Sequence, residues 1–109
     1  MDYAKLTNDL REANQIACEA VKDSDDGGTC NLDSCFLQIP RVRETKVLEA
    51  IKAAGLYCRA KTLWGWIGKG YMIKPTSGGQ GNMRTKAVEI MSKELKRRGW
   101  DVTTYYQMD

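Results

Sequence analysis

From residue 34 onward the spacing of apolar residues switches between two and about 3.6 in a set succession, and that succession constrains the fold more than any other feature. "SCFLQIP" (34–40) is a short apolar run closed by Pro40, which cannot donate to a sheet ladder, and it reads as a strand. "RVRETKVLEAIKAAG" (41–55) places Val47, Leu48, Ile51 and Ala54 on one helical face, with Gly55 at the left-handed C-cap and Leu56 just beyond it. "LYCRAKTLWGWI" and "GYMIKP" read as antiparallel strands, with Gly68-Lys69-Gly70 as the hairpin turn between them. "NMRTKAVEIMSKELKRRG" (82–99) groups Met83, Ala87, Ile90, Met91 and Leu95, with Asn82 as N-cap, and Gly99-Trp100 repeats the stop seen at Gly55-Leu56. "DVTTYYQM" alternates Val102, Thr104, Tyr106 and Met108 against Thr103, Tyr105 and Gln107, as a half-buried strand does.

Ahead of this lies a helical pattern over residues 2–22, with Tyr3, Leu6, Leu10, Ala13, Ala17 and Ala20 on a narrow, alanine-rich stripe. "KDSDDGGTCN" ends it in an acidic, glycine-containing loop. The expected fold is α+β, one domain over residues 1–109. It combines an N-terminal helix (1–24) with a ferredoxin-like split βαβ part (34–109), strand-helix-strand-strand-helix-strand, whose antiparallel four-stranded sheet carries both later helices on one face. The N-terminal helix is then expected to cover the other face, with Phe36 and Tyr71 packed beneath it. Alternatively its stripe pairs with its copy in a homodimer.

Apolar residues make up 42% of the chain and charged residues 28%, which places it with soluble globular proteins. No apolar run approaches the roughly 20 residues of a membrane span, and the first residues lack the apolar core of a secretion signal, so no membrane partner and a cytoplasmic location are expected. The net charge of +3 conceals an asymmetry: residues 1–35 hold three basic against eight acidic side chains, and the remainder 14 against six. A positive half of this kind suits an acidic partner such as nucleic acid.

Cys18, Cys30, Cys35 and Cys58 come with no histidine in the chain. Only Cys30 and Cys35 are close in sequence, without the second short pair that a structural zinc site uses, so buried thiols are expected and no cofactor is implied. The cluster at Asp23, Asp25 and Asp26 has a glycine, Gly28, at the sixth place of a calcium loop but Ser34 at the twelfth, where the bidentate glutamate belongs. It reads as a solvated turn.

The glycine loop "SGGQGN" precedes a helix whose first amides lack internal partners and carry positive partial charge, so Gly78, Gly79, Gln80, Gly81 and Asn82, with Arg84 and Lys86, form a candidate anion site. The spacing is neither that of a P-loop nor G-x-G-x-x-G. Lys86, Lys93 and Arg97 fall within about 40° of one another at 3.6 residues per turn, off the apolar face, and extend the positive surface. Trp64 and Trp66, two residues apart in a strand, share a face, and Trp66 is a candidate anchor for a protein partner.

Three resemblances attach to these segments. Gly78-Gly79-Gln80 resembles the catalytic tripeptide of class I peptide-chain release factors, but over barely a tenth of the chain and without that family's preceding context. Phe36 in the first strand and Lys69-Gly70-Tyr71 in the third resemble the base-stacking strands of the RNA recognition motif, although Ile73 stands where a second aromatic is expected and Met72 replaces a small residue. Residues 28–109, with "GTCNLDS", "GGQGNMRTKA" and "YYQMD", resemble small uncharacterised proteins of anaerobic gut bacteria and their phages or conjugative elements. Together these readings lead to an expected non-enzymatic accessory protein that binds nucleic acid or a nucleoprotein. The alternative is a protein-binding inhibitor or adaptor of a mobile element, of the anti-defence or anti-CRISPR kind.

Overall fold

The structure is a computed structural model and describes residues 1–22, 33–65, 67–77 and 82–106. Helix α1 (Tyr3–Val21) starts at Asp2, whose carboxylate accepts from the Lys5 amide at 2.9 Å and so satisfies one of the unpaired N–H groups of the first turn. Leu6, Leu10, Ala13, Ala17 and Val21 form its buried stripe, Val21 taking the place expected of Ala20, which is exposed. Strand β1 (Ser34–Gln38) is followed by α2 (Glu44–Ala53), β2 (Thr62–Trp64), β3 (Gly68–Ile73), α3 (Asn82–Arg97) and β4 (Asp101–Tyr105). Among the described residues, no helix is long and apolar enough to cross a membrane.

Both helix stops anticipated from glycine take that form. Gly55 (φ +85°) and Gly99 (φ +97°) are left-handed, and the next amides, Leu56 and Trp100, donate back to Ile51 O at 3.1 Å and Leu95 O at 3.0 Å. The start of α2 falls later than the pattern suggested, because Arg41 is itself left-handed (φ +59°) and Arg43 is extended.

The class is α+β: the described residues form three helices and one antiparallel four-stranded sheet whose strands run in the order β2-β3-β1-β4. Cys35 pairs with Ile73, and Leu37 with both Tyr71 and Val102, so these five residues point to one side. On that side they share a single core with residues of all three helices, among them Leu6, Leu10, Val47, Ile51, Val88 and Leu95. Each such large side chain contributes about 2 kcal/mol on leaving water. Within the helical layer α1 packs against both α3 and α2, which do not approach one another among the described residues. Its small residues make that place between the two helices possible, since Ala13 and Ala17 are fully buried.

Three expectations are corrected here. The N-terminal helix does not cover the second face of the sheet, because its apolar stripe belongs to the same core as α2 and α3. Tyr71 does lie in that core, but Phe36 points to the opposite face. There it is fully buried by aromatic neighbours: its ring meets Trp64 edge-on at 5.2 Å, and Trp64 meets Tyr105 edge-on at 4.5 Å. Finally, Gly68-Lys69-Gly70 is not the hairpin turn but the start of β3; the reversal comes earlier, with Gly65 left-handed (φ +47°) and the Ile67 amide donating to Trp64 O at 3.0 Å.

Candidate functional site

Helix α3 buries Ala87, Val88, Met91 and Leu95 and turns its cations to its other sides. Those cations divide into two groups. Arg98 is held: its Nε donates to Glu94 Oε2 at 2.7 Å and its Nη1 to Asp9 Oδ1 at 3.0 Å, and it also bridges Glu12. Arg97 forks onto Glu94, with Nε donating to Oε1 at 3.1 Å and Nη2 to Oε2. These bonds from Arg97 and Arg98 pull the Glu94 carboxyl down to about 2; Glu94 in turn raises the Arg97 guanidinium, and Glu12, followed by Glu94 and Asp9, raises that of Arg98. In contrast, Lys86, Lys93 and Lys96 are exposed and enter none of the ion pairs formed among the described residues.

Asp9 is the centre of the held group. Besides Arg98 it accepts from Lys5 Nζ at 2.6 Å and from the Trp100 indole at 2.8 Å, and the Lys5 ammonium lies 4.9 Å from the centre of the Trp100 ring. Burial alone pushes its carboxyl up and is the largest single influence, but the bonds from Lys5, Trp100 and Arg98 together hold it below the ordinary aspartate value. Sequence reasoning assigned Asp9 and Glu12 only to a diffuse acidic half. The structure shows them meeting the basic half directly.

The start of α3 is fixed from a different direction. Asp33 is 2% exposed, its carboxylate accepts from Thr85 Oγ1 at 2.8 Å, and its carbonyl accepts from Arg84 Nε at 3.3 Å. An internal carboxylate therefore already stands by the first turn of α3, where the helix dipole favours negative charge. Arg84 is folded back onto the chain, whereas Lys86 remains exposed. Asn82 is the first residue of α3 itself, and Gly78, Gly79, Gln80 and Gly81 lie outside the described residues. The chain leaving β3 is pinned to α1, since Asn14 accepts from the Thr76 amide at 2.9 Å and donates to Thr76 Oγ1 at 2.8 Å.

Trp66 and Cys30 also lie outside the described residues, as do Asp23, Asp25 and Asp26. Cys35 is buried, receives Ser92 Oγ–H at 3.2 Å and faces Val88 O at 3.6 Å, and burial pushes its thiol up to about 11. Burial also raises Cys58. Such thiols are poor nucleophiles and poor metal ligands at neutral pH. Among the described residues, no three His, Cys, Asp or Glu side chains come together as a metal site would require. Comparison with protein-family models, with curated proteins and with solved structures finds no match in any of the three.

Proposed function

We propose that this protein is a small non-enzymatic accessory protein that binds nucleic acid, or a nucleoprotein, through the outer side of α3. The observation that carries the reading is the division among the cations of α3 and the residue after it: Arg97 and Arg98 are committed to carboxylates, while Lys86, Lys93 and Lys96 stand exposed on a helix whose opposite side is fully buried. A row of unpaired ammonium groups on a rigid support binds a polyanion by releasing its counterions. The reading keeps Gly78, Gly79, Gln80, Gly81 and Asn82, which precede and open α3 in the sequence, as further contacts. The scaffold is the ferredoxin-like split βαβ arrangement, supported by the order β4-β1-β3-β2 with each neighbouring pair antiparallel. The protein acts in the cytoplasm, as an accessory of a mobile element. Titration with DNA and RNA at low and rising salt tests the proposal: affinity falls steeply with salt if it holds, and absence of binding at low salt removes it.

A second reading is favoured by Leu63, 65% exposed in β2, and Tyr57, 77% exposed shortly before it. Apolar side chains so exposed suit a protein partner, in the manner of an inhibitor or adaptor. Partner capture that survives high salt and is lost on Leu63→Ser distinguishes this reading from the first.

A further inference from the structure

A second concentration of unpaired cations lies away from α3, where the strands end. Strand β1 finishes at Gln38, whose Nε2 donates to Ile67 O at 3.2 Å and to Lys69 O at 3.4 Å, holding the start of β3 against the end of β1. Beside this contact opens a cleft of about 280 Å³ whose lining includes Arg41, Lys61, Lys69 and Asp101. The cations come from three segments: the turn after β1, the residue before β2 and the start of β3. None of the three forms an ion pair among the described residues, although Asp101 lines the same cleft. Glu44, the other nearby acid, accepts from the backbone amide of Lys61 at 3.4 Å. Three cations against one carboxylate leave the cleft with a net charge of +2.

Arg41 adds an independent observation. It is the one non-glycine residue with positive φ among the described residues, at +59°. Bulky side chains adopt that conformation uncommonly, and glycine would meet it without strain. The backbone there has no need of arginine, so what arginine contributes is its guanidinium fork, which matches the oxygens of a phosphate two at a time.

The geometry points to a binding site for a small phosphomonoester that carries a hydroxyl group, of the sugar-phosphate class. A phosphomonoester is close to a dianion at neutral pH and balances the charge of the cleft. Asp101 is an acceptor for a ligand hydroxyl. The cleft's size suits a phosphate on a short carbon skeleton, and its walls are formed at strand ends that the sheet holds in place. The site shares no residue with the α3 surface, so each stands or falls alone.

Ribose 5-phosphate, inorganic phosphate, ribose and a 5′-phosphorylated oligonucleotide are titrated into isotope-labelled protein, followed by amide NMR and calorimetry. Ribose 5-phosphate is expected to saturate, to bind more tightly than inorganic phosphate, and to shift the amides of Gln38, Arg41, Lys69 and Asp101, while ribose does nothing. Lys69→Ala and Arg41→Gly each weaken it about tenfold or more. Arg41→Gly melts no lower than the unmodified protein, since glycine relieves the left-handed residue, so weakened binding in that variant is not unfolding. The proposal is overturned if ribose 5-phosphate causes no shifts up to about 10 mM, if the shifts fall elsewhere, or if Arg41→Gly binds unchanged. Saturation by the oligonucleotide alone would equally overturn it, assigning the cleft to a nucleic-acid end.

Discussion

The indole of Trp100 donates to Asp9 at 2.8 Å, joining the residue that closes α3 to the second turn of α1. Arg98 and Lys5 converge on the same carboxylate, so Asp9 gathers three donors while only 6% exposed. The contact explains how an N-terminal helix with a narrow apolar stripe is held between two others: the alanines permit close approach, and the polar cluster sets where along α3 the approach occurs.

Asp9→Ala therefore leaves two cations and an indole N–H without their shared acceptor in a partly dry setting. The expected cost is about 2–3 kcal/mol, measured by urea denaturation, because unpaired buried donors cost more than their bonds contributed. A loss near zero would mean that α1 is positioned by its apolar stripe alone.

Acid should loosen the same seam. Glu94 is held down to about 2 and Asp9 below the ordinary aspartate value, so both bind protons more weakly when folded than when unfolded. Their contribution is complete above the unfolded carboxyl range, roughly pH 4 to 5, and is lost as pH falls through that range toward 2. Melting temperature is expected to fall as pH is lowered through that window, and Glu94→Gln to make that fall shallower.

Gly70 separates two reasons for glycine. A Cβ there would stand 2.7 Å from Leu37 O and 2.7 Å from Phe36 Cζ, and the backbone carbonyl of a central strand cannot withdraw. Gly70→Ala is expected to cost about 2–3 kcal/mol and to disturb the Phe36–Trp64–Tyr105 cluster, seen as a change in tryptophan emission. Gly99→Ala, where nothing lies within 4 Å, pays only for the left-handed backbone, about 1 kcal/mol.

That glycine also shows where the sequence is ambiguous. Gly68-Lys69-Gly70 reads as a turn because glycine marks turns, yet glycine in a strand equally marks a close approach, here of the Phe36 ring. The stops at Gly55 and Gly99 were legible because a helix, glycine and large apolar residue in succession have one common solution. The side to which Phe36 points was not, since Ser34, Cys35, Phe36 and Leu37 are all buried and alternation offers no parity; register against β3 decides it. The candidate site was half legible. Helical geometry places Lys86 and Lys93 together, but the capture of Arg98 by Asp9 and Glu12 joins residues more than 80 apart, and no local pattern announces it.

Thiol accessibility gives a direct chemical readout. With Cys35 pushed up to about 11 and buried against Ser92 and Val88, its thiolate fraction at pH 8 is on the order of 10⁻³. Among the three cysteines of the described residues, peptide-resolved alkylation of the native protein should label Cys18 and Cys58, both half-buried, ahead of Cys35, which reacts only when denaturant is added. Early labelling of Cys35 would show that β1 and α3 separate locally.

The α3 surface makes its own quantitative demand. Each cation that displaces a counterion from duplex DNA contributes about 0.9 to the slope of log affinity against log salt. Lys86→Ala combined with Lys93→Ala is therefore expected to reduce that slope by about 1.8 while leaving the melting temperature unchanged, because both side chains are exposed and unpaired among the described residues. Arg97→Ala provides the contrast: its guanidinium forks onto Glu94, so DNA must compete with an internal carboxylate for it, and its removal should alter the slope less than either lysine does. Equal effects from all three would mean that the Arg97–Glu94 pair opens on binding, and that the row of contacts extends to the last turn of the helix.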